Sequence, residues 1–254
     1  MLKIITTLTL FLLGMLAKGQ NTEVKNISDF SKINVNGNIE LVYVQNPQTK
    51  VTFESADAEL LKNTVVEVNK NTLQVYTISE SETPVKVYVS NPEVKEIKAA
   101  HQALVTVIET LFVDQLKINL NDNAQFKGMI NATEKVRLTA TDRSTFSGRI
   151  DAPTVVGNLK KHARTSISGK ANQMSVNTSG NSLFLAGNFK SDRMDLSING
   201  YSKTNILAPQ KLNAFVAEEA QLSYRGLPVD VSLNEEAFTT SVWKHEQLIG
   251  YNEK

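Results

Sequence analysis

The chain has 254 residues, 27 Lys plus Arg against 26 Asp plus Glu, and no cysteine. That length holds one large all-β unit or two smaller ones, and the near-neutral balance supplies no basic stripe for nucleic acid. Without cysteine the sequence predicts no disulfide, no thiolate site and no lipoprotein-type acyl anchor.

In chain order, Lys3 precedes an apolar run over residues 4–16, and Ala17-Lys18-Gly19 forms a small-x-small site. This predicts a secretory signal peptide, residues 1–19, cleaved before Gln20. The run is shorter than the roughly 20 apolar residues that cross a bilayer. No later stretch is a transmembrane helix candidate. Loss of Lys3 and Lys18 leaves 25 basic and 26 acidic residues in the mature chain. The expectation is export through that signal peptide.

Residues 20–93 read as short alternating strands. Ile33 and Val35 alternate with polar residues, Asn36-Gly37 follows, and Ile39, Leu41, Tyr43 and Gln45 continue with period two. Asn-Gly between two such runs predicts a hairpin. Asn46-Pro47 makes the next turn, before a strand at Val51 and Phe53. Residues 57–63 predict a short helix. Three more strands carry Val66 and Val68, Leu73 and Val75, and Val85, Val87 and Val89, with turn residues between them.

From residue 94 to 229 a longer unit repeats. Residues 116–154 hold two copies: Leu116, Ile118, Leu120 and Val136, Leu138, Ala140 alternate, then a polar turn, then Phe126 or Phe146 with Gly128 or Gly148 two places on. A period near 20 with internal alternation predicts a β-solenoid of stacked rungs with a continuous buried core. The rival is a β-sandwich of regular hairpins; the internal repeat favours the solenoid. Extending the glycine marker gives Gly169, Gly187, Ala208 and Gly226. The large apolar residue two places earlier becomes Ile167, Leu185, Ile206 and Tyr224. These predict one apolar ladder with Phe126 and Phe146 as core residues. The glycines predict tight corners of positive φ, and so do Asn119, Asn121, Asn123, Asn158, Asn177, Asn181 and Asn199, because asparagine tolerates that conformation. Residues 230–254 lack the marker, and Phe238, Val242, Trp243 and Leu248 predict a cap over the last rung.

The pattern Phe30-x-x-Ile33-x-Val35-x-Gly37, then Leu73-x-Val75, then Val85-x-Val87-x-Val89-x-x-Pro92, followed by Ser147-Gly148, Ser168-Gly169 and Ser179-Gly180-Asn181-Ser182, resembles the GIN-domain family of "putative auto-transporter adhesin" head domains, common in Bacteroidetes. The resemblance covers nearly all of the mature chain. It implies a β-helix-like array, an adhesive role and a place in the periplasm or at the cell surface of a Gram-negative bacterium, and it assigns no residue a role.

No residue set predicts a catalytic, cofactor or metal site. His101, His162 and His245 lie far apart and in no triad or metal-ligand spacing. Asp114, Asp122, Asp142 and Asp151 fall at rung turns. Asp122 and Asp142 would stack on one face, the arrangement a carbohydrate-active enzyme would need, although solvated turn carboxylates are the simpler reading. Lys160, Lys161, His162 and Arg164, with Arg137, Arg143 and Arg149 on neighbouring rungs, form a basic corner that could meet an anionic glycan. The glycosylation triplets at Asn26, Asn131 and Asn177 carry no weight in a bacterial protein. The expectation is a non-enzymatic exported scaffold that binds a surface glycan or protein by its extended face. The alternatives are a β-helical carbohydrate-active enzyme and a periplasmic partner-binding module.

Overall fold

The computed structural model describes residues 21–79 and 81–234 and the backbone of 242–245. The signal peptide predicted over 1–19, the predicted cap residues Phe238 and Leu248, and the side chains of Val242 and Trp243 lie outside the described residues. The elements are β1 (Asn21–Lys25), β2 (Lys32–Asn36), β3 (Ile39–Gln45), β4 (Lys50–Ser55), α1 (Ala58–Lys62), β5 (Thr64–Asn69), β6 (Thr72–Thr77), β7 (Val85–Asn91) and β8 (Glu96–Ala100). They continue as β9 (Leu104–Leu120), β10 (Gln125–Ala140), β11 (Thr145–Asp151), β12 (Thr154–Leu159), β13 (Arg164–Thr178) and β14 (Leu183–Ile198). The last are β15 (Lys203–Leu207), β16 (Lys211–Val216), β17 (Gln221–Arg225), β18 (Asp230–Leu233) and β19 (Val242–His245). The fold is the all-β solenoid that the repeat predicts.

Two ladders build it. One runs β5–β6–β2–β8, then the C-terminal parts of β9 and β10, β12, the C-terminal parts of β13 and β14, β16 and β18. The other runs β1–β4–β7–β3, then the N-terminal parts of β9 and β10, β11, the N-terminal parts of β13 and β14, β15, β17 and β19. Every pairing is parallel from the β6/β7 rung onward. Alternate residues of most strands point inward, so the alternation in the sequence becomes one continuous core.

The Asn36-Gly37 hairpin does not form. β2 pairs with β6 and β8, β3 pairs with β7 and β9, and the Gly37 N–H donates to the Ala100 carbonyl. Asn-Gly here turns the corner of one rung, because stacked neighbours satisfy both strands. The hairpin in this region is β5/β6, whose turn residues Lys70 and Asn71 have φ of 46° and 61°. The rung of β2 and β3 is threaded between the rungs of β6/β7 and β8/β9. β1 lies at the outer edge on β4, β2 and β3 enter the stack, and the chain then doubles back through β4–β7 to close that end. The predicted helix closes that end. Asp57 caps α1 by accepting from Glu59 N–H at 2.8 Å, and Leu60 and Leu61 are buried.

The apolar ladder differs from the predicted one after Phe146. Its members are Leu41, Val105, Phe126, Phe146, Thr165, Phe184, Thr204 and Leu222, each opposite the next. From Phe126 the steps are 20, 19, 19, 20 and 18 residues. Gly148 stacks on Ile167, and Ile206 on Tyr224, so these line the neighbouring inward column. Leu185 faces outward, 41% exposed. The glycine marker misplaced it because a one-residue slip in a period-two strand turns a side chain to the other face.

Two of the ladder positions are polar. Thr165 and Thr204 are buried, and neither hydroxyl has a hydrogen-bond partner among the described residues. Thr165→Val keeps the shape and removes a dehydrated hydroxyl. We expect it to raise the unfolding free energy by about 1 kcal/mol, read from a urea midpoint. A loss of stability would mean that the hydroxyl is bonded after all.

The corners are also assigned differently. Positive φ runs along a stacked turn column of His101, Asp122, Asp142, Lys161, Gly180, Gly200 and Glu218, and of the marker glycines Gly169 and Gly226 have it while Gly128, Gly148 and Gly187 do not. Of the seven asparagines, Asn123 alone has it; Asn119, Asn158 and Asn177 lie in strands of the first ladder. Gly148 is needed for another reason: a Cβ there would lie 2.3 Å from the Gly128 carbonyl oxygen on the next rung.

Candidate functional site

The residues singled out from the sequence are spread along the stack. His101 and His162 sit at turns with the Asp122 and Asp142 rungs between them, and the side chain of His245 lies outside the described residues. Among the described residues no group of three metal-ligating side chains comes together. Asp122 and Asp142 do stack on neighbouring turns, with φ of 49° and 61°. Lys161 Nζ lies 2.6 Å from Asp142 Oδ1, and Thr141 Oγ1 donates to its other oxygen at 2.6 Å. The Lys161 hydrogen bond, then that of Thr141, hold the Asp142 carboxyl below the usual carboxylate range. A general acid needs the opposite shift.

The remaining carboxylates are engaged locally. Asp114 accepts from Thr133 at 2.8 Å, Asp151 pairs with Arg149 at 2.9 Å, and Asp122 lies 3.8 Å from His101. The basic corner is divided: Lys161 is neutralised by Asp142, Arg149 by Asp151, and Arg137 stands on the other ladder from Arg164. Two tyrosines shift strongly, both towards staying protonated. Burial pushes Tyr43 up, with help from the Glu93 charge, and burial with a hydrogen bond to Glu54 pushes Tyr88 up to about 12. Neither is an ionised nucleophile at neutral pH.

On the first ladder Asp195 is held by many donors. Arg193 Nε and Nη2 reach it at 2.9 Å, Asn213 Nδ2 at 2.7 Å and Gln173 Nε2 at 3.3 Å. The Arg193 bonds, against some desolvation, lower its pKa. A lowered folded-state pKa contributes stability above the unfolded value and loses it as pH falls through the folded one. Asp195→Asn should therefore melt below wild type at pH 6, and the gap should begin to narrow only near the unfolded value of about 3.9 and close as pH falls through the lower folded one, where position 195 is neutral in both chains. A gap independent of pH would show that the ion pair adds nothing.

A concavity of about 770 Å³ lies on the outside of the second ladder. Ser147, Ser166, Leu185 and Asn205 form one outward column, opposite one another rung by rung. Ser168 and Asn188 form the next. The strands bend here for a visible reason. Ser166 pairs with Leu185 and Ser168 with Asn188, so Ala186 and Gly187 of β14 oppose Ile167 alone, a β-bulge. Arg225 of β17 reaches back across β15, and its Nη2 donates to the Gly187 carbonyl at 3.3 Å. Asn205 Nδ2 donates to Ser223 Oγ at 2.8 Å. Sequence reading missed this groove because neither a bulge nor a contact 38 residues long leaves a local signal. The Ser-Gly pairs marked its position, not its shape.

The same architecture occurs in solved structures. One described as a "putative adhesin" from Parabacteroides distasonis superposes with a TM-score of 0.80 at 17% identity, over 90% of this chain and 98% of that one. Another of that description, from Parabacteroides merdae, has a TM-score of 0.80 at 18% identity, over 91% and 98%. A third, described as a "putative lipid binding protein" from Parabacteroides distasonis, has a TM-score of 0.72 at 18% identity, over 91% and 98%. At these identities the likeness shows the fold. No curated protein matches the chain. Residues 29–228 match the family described as "Putative auto-transporter adhesin, head GIN domain", and the chain belongs to that family.

Proposed function

We propose that the protein is an exported, non-enzymatic binding scaffold of the cell envelope, which attaches to a surface glycan or protein through the outer face of its solenoid. The observation that carries this reading is the groove of about 770 Å³ lined by outward serine and asparagine side chains with Arg225 across it. It offers many hydrogen-bonding groups on a rigid sheet, and its lining residues include no carboxylate pair. Family membership supports an adhesive role, and residues 1–19 support export. No described helix is long and apolar enough to cross a membrane. A carrier of acyl chains would need an open interior, whereas Phe126, Phe146 and Phe189 fill this one.

The test is a glycan and extracellular-matrix array probed with residues 20–254, run beside a polysaccharide hydrolysis screen. Saturable binding without turnover is the expected result. Hydrolysis abolished by Asp122→Asn or Asp142→Asn would make the protein an enzyme instead.

A further inference from the structure

We infer that the groove over β11, β13, β14 and β15 is a site for an acidic saccharide, with the ligand carboxylate held by the Arg225 guanidinium. This rests on the binding-scaffold reading and names its ligand class.

The charge comes first. Among the described residues Arg225 has no ion-pair partner, and its side chain donates to the Gly187 carbonyl. No carboxylate lines the groove. A guanidinium carries five N–H donors in a planar fork, so one bond to Gly187 orients the plane and leaves donors for a carboxylate. The anchoring is built into the backbone. A Cβ on Gly187 would lie 2.9 Å from Asn205 Oδ1, and that amide is itself held by Ser223. Gly187 thus has Asn205 close against it and Arg225 bonded to its carbonyl, and that bond orients Arg225 before any ligand arrives.

The neutral groups specify a saccharide. Among the described residues Ser147, Ser166, Ser168 and Asn188 have no side-chain hydrogen-bond partner, and they line the groove, so each can exchange hydrogen bonds with ring hydroxyls. They recur rung by rung, about 4.8 Å apart, a step close to the length of one sugar unit in an extended polymer. Leu185 gives the apolar patch against which the C–H face of a ring can lie. Nucleic acid would require several cations along a strand, and a protein partner would require buried aromatic anchors, which the lining lacks. A peptide added as a strand would use a sheet edge, and this groove is on a face.

The experiment titrates residues 20–254 by calorimetry with polygalacturonate, with the same polymer fully methyl-esterified, and with sodium sulfate. Binding of polygalacturonate, at least about tenfold weaker for the ester and for Arg225→Gln, is the expected result. Arg225→Lys should recover part of the loss, because it restores charge without the fork. Arg225→Gln should leave the melting temperature unchanged, since the side chain is at the surface. Gly187→Ala, which crowds Asn205, should weaken binding as a second, independent variant. Equal binding of acid and ester, or an Arg225→Gln titration identical to wild type, overturns the inference. So does sulfate competing as well as the polymer, which would mark a bare anion site. If the protein binds other targets on the array but no polygalacturonate, the saccharide assignment falls and the scaffold reading stands. If it binds nothing on either, both fall.

Discussion

Phe146→Ala should lower the unfolding free energy by about 3–5 kcal/mol. The side chain is fully buried, and its ring stacks on Phe126 with centroids 5.2 Å apart and planes 3° from parallel. Thr165 stands on the other side. The loss exceeds the transfer free energy of a phenyl ring because the cavity cannot collapse. Its walls belong to strands whose spacing is set by parallel backbone hydrogen bonds to the rungs on either side. Phe146→Leu, which leaves less empty space, should cost less than half as much. Guanidinium denaturation of the three chains measures both. A Phe146→Ala loss below about 1 kcal/mol would contradict the stacked ladder.

Gly169→Ala should cost nearly as much, about 3–5 kcal/mol, for a different reason. Gly169 has φ of +117°, and a Cβ there would stand 2.1 Å from the Ile150 carbonyl oxygen and 2.9 Å from Asp151 Oδ1. The first contact is with backbone, which cannot yield without breaking the pairing of Ile150 with Gly169 that joins β11 to β13. Gly226 separates strain from crowding. Its φ is +106°, but a Cβ there would find its nearest neighbour, Ala208 Cβ, at an ordinary 3.5 Å. Gly226→Ala should therefore cost only the strain, about 1–2 kcal/mol. Equal losses for the two variants would mean that the close approach of rungs at Gly169 contributes nothing.

The two glycines also show where sequence reading reached its limit. Gly128, Gly148, Gly169 and Gly187 look like one series, but Gly148 stacks on Ile167 while Gly169 stacks on Ile150. The first step along the ladder is 20 residues, the next two are 19, and β14 absorbs an extra residue in its bulge. A spacing count cannot see a bulge, because the extra residue is defined by what lies opposite it. Leu185 fell on the wrong side for that reason. Asn36-Gly37 misled in a related way: the dipeptide is a turn in either context, and only distant partners decide between hairpin and rung corner. The pairing of Asp122 and Asp142 on one face was legible, since a 20-residue separation matches one rung. The cation that neutralises Asp142 was legible only as part of a charge run.

The sequence by itself determined that this chain is all-β, which residues of most strands face inward, that the strands stack as rungs, and that Phe126 and Phe146 belong to the core. Those properties follow from side-chain alternation, a local feature with a period of two residues. The tertiary structure alone decided which rung lies on which, that β2 and β3 thread between later strands, and that Arg225 comes to rest beside Gly187. Register between rungs is set by backbone hydrogen bonds, which every residue can make, and by the fit of side chains far apart in the chain. Neither is written in any single stretch of sequence.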